Sequence, residues 1–160
     1  MIIKCFSLAK VASGIAIALF ASLSFGTESE YEEGKHYAKL LTPIQTEDPK
    51  KIEVTEYFSY GCPHCFRFEG LISRWKSQLE SDVVFKRSPA IWNVPGYEVF
   101  ARTYYTLESM GVLPELHLQV FRAIHNNGRR LDTLEKMTKF VSEYGVEPEK
   151  FLRTYNDSFG

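Results

Sequence analysis

Polar and apolar residues alternate from Ile52 to Phe58, placing Ile52, Val54, Glu56 and Phe58 on one face, the period of a half-buried strand. Gly61 breaks the run. From Cys65 onward the period becomes helical, and Phe68, Leu71, Ile72, Trp75 and Leu79 form an apolar stripe that predicts a helix packed through that side. Val83 to Phe85 predicts another strand, ended by Pro89. Upstream, His36 to Leu41 predicts a short strand stopped by Thr42-Pro43, and Glu47-Asp48-Pro49-Lys50 predicts a turn. Strand, strand, helix, strand contains a βαβ unit, hence a parallel pair with a right-handed crossover.

After the connection Trp92-Asn93-Val94-Pro95-Gly96 the pattern is helical throughout. Tyr97 to Met110 predicts one helix, closed by Gly111. Pro114 to Asn126 predicts a second, with Leu116, Val120, Phe121 and Ile124 inward and Gly128 beyond its end. Asp132 with Glu135 three residues later reads as a capping box. It opens a third helix whose core positions are Leu134, Met137, Phe140, Val141 and Tyr144. Pro148 opens a fourth, carrying Phe151, Leu152 and Tyr155. No repeat or low-complexity tract interrupts this order.

The first residues are of a different kind. Lys4 and Lys10 precede an apolar stretch from Val11 to Phe20. Ser22-Leu23-Ser24 and Ser24-Phe25-Gly26 then offer small-x-small cleavage sites. This is the layout of a secretory signal peptide over residues 1–26. A membrane anchor is the alternative, but a spanning helix wants roughly 20 apolar residues and this core is shorter. Removal of the signal takes Cys5 with it and leaves Cys62 and Cys65 in an export compartment where disulfides persist. Glu28 to Glu33 follows as an acidic, solvated arm.

Composition narrows the class further. The 160 residues are 44% hydrophobic and 24% charged, with a formal net charge of -1, which fits a globular chain and excludes disorder. So balanced a charge argues against nucleic-acid binding. Three cysteines are too few for a disulfide-stapled mini-protein.

The chemistry gathers at Cys62-Pro63-His64-Cys65. A pair at this spacing serves as half a zinc site, a structural disulfide or a redox dithiol. Zinc needs about four ligands. His117 and His125 stand eight residues apart on a predicted helix and His36 stands alone, so all three read as satisfied or exposed histidines. A structural bridge this short constrains little chain entropy. Position favours redox work: Cys62 lies where a strand ends and a helix begins, and unpaired N–H groups and the helix dipole stabilise an anion there. Pro63 suits the first helical position. His64, when protonated, adds positive charge, and all these terms favour the attacking thiolate. Cys62 is then the nucleophile and Cys65 the buried resolving thiol. A thiolate stabilised in the reduced form makes the disulfide an electron acceptor, by roughly 30 mV per pKa unit. Glu56 sits oddly on an apolar strand face, where burial disfavours its charge and makes it a proton acceptor for Cys65. Glu69, one turn beyond Cys65, reads equally as a functional acid or as ordinary helix surface.

Glu56-Tyr57-Phe58-Ser59-Tyr60-Gly61-Cys62-Pro63-His64-Cys65, with Phe66-Arg67-Phe68-Glu69 after it, resembles the active-site segment of the DsbA family, and Tyr31-Glu32-Glu33-Gly34-Lys35-His36-Tyr37 resembles its N-terminal segment. The resemblance implies an α/β, thioredoxin-like fold with an inserted all-helical domain. Residues 27–95 would form the N-terminal part of the thioredoxin-like domain and 96–160 the insertion. It implies Cys62 as attacking thiol, His64 as its stabiliser, Glu56 as the buried acid, and Arg87 near a basic partner of that acid. It also implies a periplasmic enzyme that needs no cofactor, donates disulfides to reduced exported polypeptides, and is reoxidised by a quinone-linked membrane partner. Nucleic acid has no place in it. A full-length member returns to its sheet with a strand preceded by a cis-proline, a last strand and a final helix, and these are expected to be lacking here. Val94-Pro95 precedes the helices and is not given the cis-proline role. On that reading the chain is a truncated member with an open sheet edge, an aggregation hazard. A reductase, an isomerase, a non-catalytic remnant and a metal-binding module are the competing functions.

Overall fold

The computed structural model describes residues 31–157, so the signal-peptide reading and its cleavage sites lie outside the described residues. The chain divides into two compact units, with the boundary in sequence between Ile44 and Gln45. In the first, a turn brings Glu33 and Tyr37 into an isolated bridge. It is closed by the Gly34 N–H donating to the Tyr37 carbonyl at 2.7 Å, with Gly34 at φ 84°. The strand expected from His36 to Leu41 does not form. His36 is used in the turn, its Nδ1 accepting the Glu32 N–H at 2.9 Å. Leu40 and Leu41 stay exposed, and an extended segment without a ladder partner has nothing to hold it.

The second unit carries β1 (Ile52–Phe58), α1 (Pro63–Lys76), β2 (Val83–Pro89), α2 (Tyr97–Ser109), α3 (Leu113–His125), α4 (Leu134–Ser142) and α5 (Pro148–Asp157). β1 and β2 pair in parallel, in register from Ile52↔Val83 to Phe58↔Pro89, with α1 as the connection that parallel strands require. Pro89 has no N–H to donate, and the ladder closes one residue later, the Ala90 N–H reaching the Phe58 carbonyl at 2.7 Å. The core lies where the end of β1 meets the helices. Phe58 and Tyr60 pack with Phe100, Tyr104 and Leu107 of α2 and with Leu116, Val120 and Phe121 of α3, and the cluster continues through Met137, Phe140, Phe151 and Tyr155.

Expectations about helix faces and ends are corrected at α1 and α4. The α1 stripe points largely outward: Phe68, Leu71 and Trp75 are 49%, 52% and 41% exposed, whereas Glu69 and Ile72 are buried. Arg87 on β2 holds Glu69 inward with hydrogen bonds of 2.8 and 3.0 Å, and that charge-assisted anchor overrides the apolar periodicity. Leu79 lies past the end of α1, which is capped at Ser77. At α4 the cap is Thr133, whose hydroxyl accepts the Lys136 N–H. Asp132 instead binds Arg130 and Lys136, each at 2.9 Å. Tyr144, expected in the core, is 49% exposed because α4 ends at Ser142. No helix among the described residues is long and apolar enough to cross a membrane.

Candidate active site

The turn Ser59-Tyr60-Gly61 joins β1 to α1 and delivers Cys62 to the helix N-terminus. Cys62 is the N-cap, in extended conformation at φ -91° and ψ 114°, and its sulfur accepts the Cys65 N–H at 3.5 Å. Pro63 opens the helix. Sulfur thus stands where a serine or aspartate oxygen usually caps a helix. The turn is tight. Its Cys62 N–H returns to the Ser59 carbonyl at 3.0 Å and its Gly61 N–H meets the Ser59 hydroxyl at 3.2 Å. At Gly61 a side chain would collide with the Tyr97 ring, so α2 closes over the turn.

Both cysteines are half-buried free thiols, and their environments separate them. Burial pushes the Cys62 thiol up. That effect is outweighed by the Cys65 N–H, the Cys65 side chain, the His64 N–H and the Arg67 guanidinium, so its pKa is lowered. Cys65 is pushed up to about 11, first by burial and then by the neighbouring Cys62 and the charge of Glu56, against a Ser59 backbone hydrogen bond. His64 supplies its backbone N–H to this balance. Its ring Nδ1 faces the Arg67 guanidinium at 2.8 Å, and an arginine only donates, so Nδ1 is the acceptor. Arg67 adds exposed positive charge beside the sulfur.

Beneath the cysteines lies an ionic cluster. Glu56, in register with Arg87, accepts from its Nε at 2.7 Å. The same guanidinium holds Glu69. His117 Nε2 lies 3.3 Å from Glu69 Oε1 and its Nδ1 is 2.9 Å from the Tyr60 hydroxyl. Burial pushes the Glu69 carboxyl up, but His117 and Arg87 outweigh it and the pKa is lowered. Glu56 is therefore not a lone acid on an apolar face, and Glu69 is not helix surface. Sequence reasoning missed His117 and His125 as partners of this region. The available signal was a polar residue beside Leu116, Val120 and Phe121 on the inward side of α3. A cavity of about 1310 Å³ opens onto Glu69, Arg87 and His117, with Phe66, Phe85 and Tyr104 among its walls.

No family profile matches the chain. It is 46% identical over 148 residues to the thiol:disulfide interchange protein DsbA of Pseudomonas aeruginosa, an alignment that covers 88% of this chain and 67% of that one. To the DsbA of Azotobacter vinelandii it is 38% identical over 156 residues, covering 91% and 71%. The crystal structure of Pseudomonas aeruginosa DsbA matches with a TM-score of 0.72 at 46% identity, over 79% of this chain and 65% of that one. The chain thus spans about two thirds of the length of these relatives.

Proposed function

The chain belongs to the DsbA family of thiol:disulfide interchange proteins, enzymes of protein dithiol–disulfide exchange with a thioredoxin-like fold, and from that premise we propose that Cys62 is its attacking thiol and Cys65 its resolving thiol. In the bridged form, a thiolate of a reduced exported polypeptide attacks Cys62 Sγ. The Cys62–Cys65 bond breaks and a mixed disulfide forms. Cys65 leaves with the electron pair and takes a proton. A second substrate thiolate then attacks the substrate sulfur of the mixed disulfide. The new substrate disulfide departs and Cys62 is released as a thiolate. Two electrons have passed to the cysteine pair, and no other group is required.

The observation that carries this reading is the asymmetry of the pair, with Cys62 lowered at the α1 N-cap and Cys65 raised to about 11. An acidic Cys62 is the better leaving group in the last step, and a proton-holding Cys65 makes the first step productive. Glu56, whose charge helps to raise Cys65, serves as its proton acceptor when the pair is reoxidised, with Arg87 compensating that carboxylate between turnovers. Pro63 fixes the helix start, and the His64 N–H and Arg67 stabilise the Cys62 anion.

The substrate surface is the loop before α2. Ile91, Trp92 and Val94 are 43%, 56% and 41% exposed, and the Trp92 ring meets Tyr97, which packs on Gly61. That apolar lip suits an unfolded chain that presents apolar side chains near its cysteines. Residues 1–26 act as a signal peptide in this reading, 27–95 supply the redox half and 96–160 the helical insertion. A quinone-linked membrane protein reoxidises the pair in the periplasm. The test is a redox titration against glutathione together with the ultraviolet titration of Cys62. An oxidising couple with an acidic Cys62 is expected. A Cys62 that titrates as an ordinary thiol overturns the assignment, and a potential in the thioredoxin range makes the chain a reductase.

A further inference from the structure

Tyr60, the fully buried residue two before Cys62, is held at both of its polar ends by one helix. Its hydroxyl lies 2.9 Å from His117 Nδ1 and its carbonyl 2.8 Å from His125 Nε2. The partners are 57 and 65 residues away in sequence, near the start and at the end of α3. The roles of each nitrogen follow from what it faces. A carbonyl only accepts, so His125 Nε2 carries a proton and donates. Glu69 only accepts from His117 Nε2, so that nitrogen also carries a proton, and in the neutral ring Nδ1 accepts the Tyr60 O–H. The hydroxyl and the carbonyl of Tyr60 and both ring nitrogens of His117 are then matched.

The grip reaches both sulfurs. Ser59, on one side of Tyr60, places its backbone hydrogen bond on Cys65. It also takes the Cys62 N–H on its carbonyl and the Gly61 N–H on its hydroxyl. Phe66, the residue after Cys65, stacks on the His125 ring at 5.2 Å and 13°, and on Phe121 at 5.8 Å and 26°. Rotation of the Tyr60–Gly61 peptide would disturb this turn; Ser59 holds the N–H of that peptide from within the turn, and His125 holds its carbonyl from α3.

Building on the assignment of Cys62 and Cys65 as the redox couple, we propose that His125, with His117 at the opposite end of Tyr60, is a positioning residue: α3 clamps the strand-to-helix turn so that the backbone donors stay aimed at the sulfurs and the Cys62 thiolate stays stabilised. The helical segment thereby tunes the potential of a site to which it contributes no reacting atom.

The experiment compares His125→Phe, which keeps a ring to stack on Phe66 but loses the donor, with His125→Gln, which keeps a donor for the carbonyl. Cys62 titration, the glutathione equilibrium and the melting of both redox states are measured in each. In His125→Phe the Cys62 midpoint rises, and for each unit of rise the equilibrium moves about tenfold toward the bridged form. His125→Gln stays near the parent. A merely structural histidine would lower the melting of both redox states alike, whereas the clamp changes the gap between them. Equal midpoints in parent and His125→Phe, or equal rises in both variants, overturn the clamp. If His125→Phe does not melt cooperatively, Tyr60→Phe decides from the His117 end: a raised Cys62 midpoint supports the clamp and an unchanged one overturns it. A parent Cys62 with ordinary acidity overturns the functional assignment and the clamp together; an acidic parent with an unaltered variant overturns the clamp alone.

Discussion

Glu56 and Arg87 stand opposite each other in the register of the β1–β2 ladder and close the facing pair with a 2.7 Å ion bond. The guanidinium is the hub of the cluster, since it also binds Glu69, and all three side chains are little exposed, at 12%, 10% and 11%. Removing Arg87 takes from two little-exposed carboxylates the counter-charge that is hydrogen-bonded to both. Arg87→Met is therefore expected to cost about 3–5 kcal/mol of unfolding free energy, read from urea denaturation. Adding Glu56→Gln and Glu69→Gln to that variant should recover most of the loss. A cost within the range of surface substitutions would mean that the cluster is solvated.

Glu69 makes the stability pH-dependent on the acid side. Burial raises its pKa, but His117 and Arg87 prevail and bring it below the ordinary 4.5. A carboxylate lowered in the folded state contributes stability that is fully present above its unfolded value and is lost as the pH falls through its folded value. Chemical denaturation at stepped pH should show a fall below about 4.5 in the parent, and Glu69→Gln should flatten it. An unaltered acid slope in the variant would assign the effect to other carboxylates.

The two thiols should part cleanly in alkylation. At neutral pH iodoacetamide is expected to label Cys62 first, while Cys65 keeps its proton up to about 11. Cys65→Ser should accumulate a mixed disulfide with a disulfide-bonded peptide, whose S–S bond the Cys62 thiolate opens with release of one peptide thiolate, visible by mass spectrometry, and Cys62→Ser should form none. Labelling of Cys65 ahead of Cys62 would reverse the assignment.

Arg67 provides exposed positive charge next to the sulfur, and it binds the His64 ring rather than leaving that ring to act alone. Arg67→Ala is expected to raise the Cys62 titration midpoint. Because the charge is at the surface, the difference from the parent should shrink as salt shortens the screening length from about 10 Å at 0.1 M to about 3 Å at 1 M. A midpoint unmoved at low salt would leave the backbone donors as the main source of acidity.

Much of this architecture is readable along the chain because its determinants are local. The strand at Ile52, the break at Gly61, the helix start at Pro63 and the order of the helices after Tyr97 fall where periodicity and Pro or Gly place them, the ends of α4 excepted. The sulfur cap at Cys62 follows from the same punctuation. What escapes the linear pattern is whatever two distant segments decide together. The outward turn of Phe68, Leu71 and Trp75 comes from Arg87 claiming Glu69 across β2. The pairing of Tyr60 with His117 and His125 depends on how α3 lies against the turn, and no periodicity encodes it. At Thr133 the miss is of another kind, since adjacent Asp132 is an equally good cap by type and is diverted by Arg130 and Lys136.

A helix capped by a cysteine sulfur should report the oxidation state of that sulfur. In the dithiol form the acceptor facing the Cys65 N–H is an acidic thiol; once bridged, the same atom is a neutral thioether-like sulfur and a weaker acceptor. The opening turn of α1 should then fray more in one state than in the other. Deuterium uptake at the Cys65 amide would follow the electrons without any probe attached to the protein.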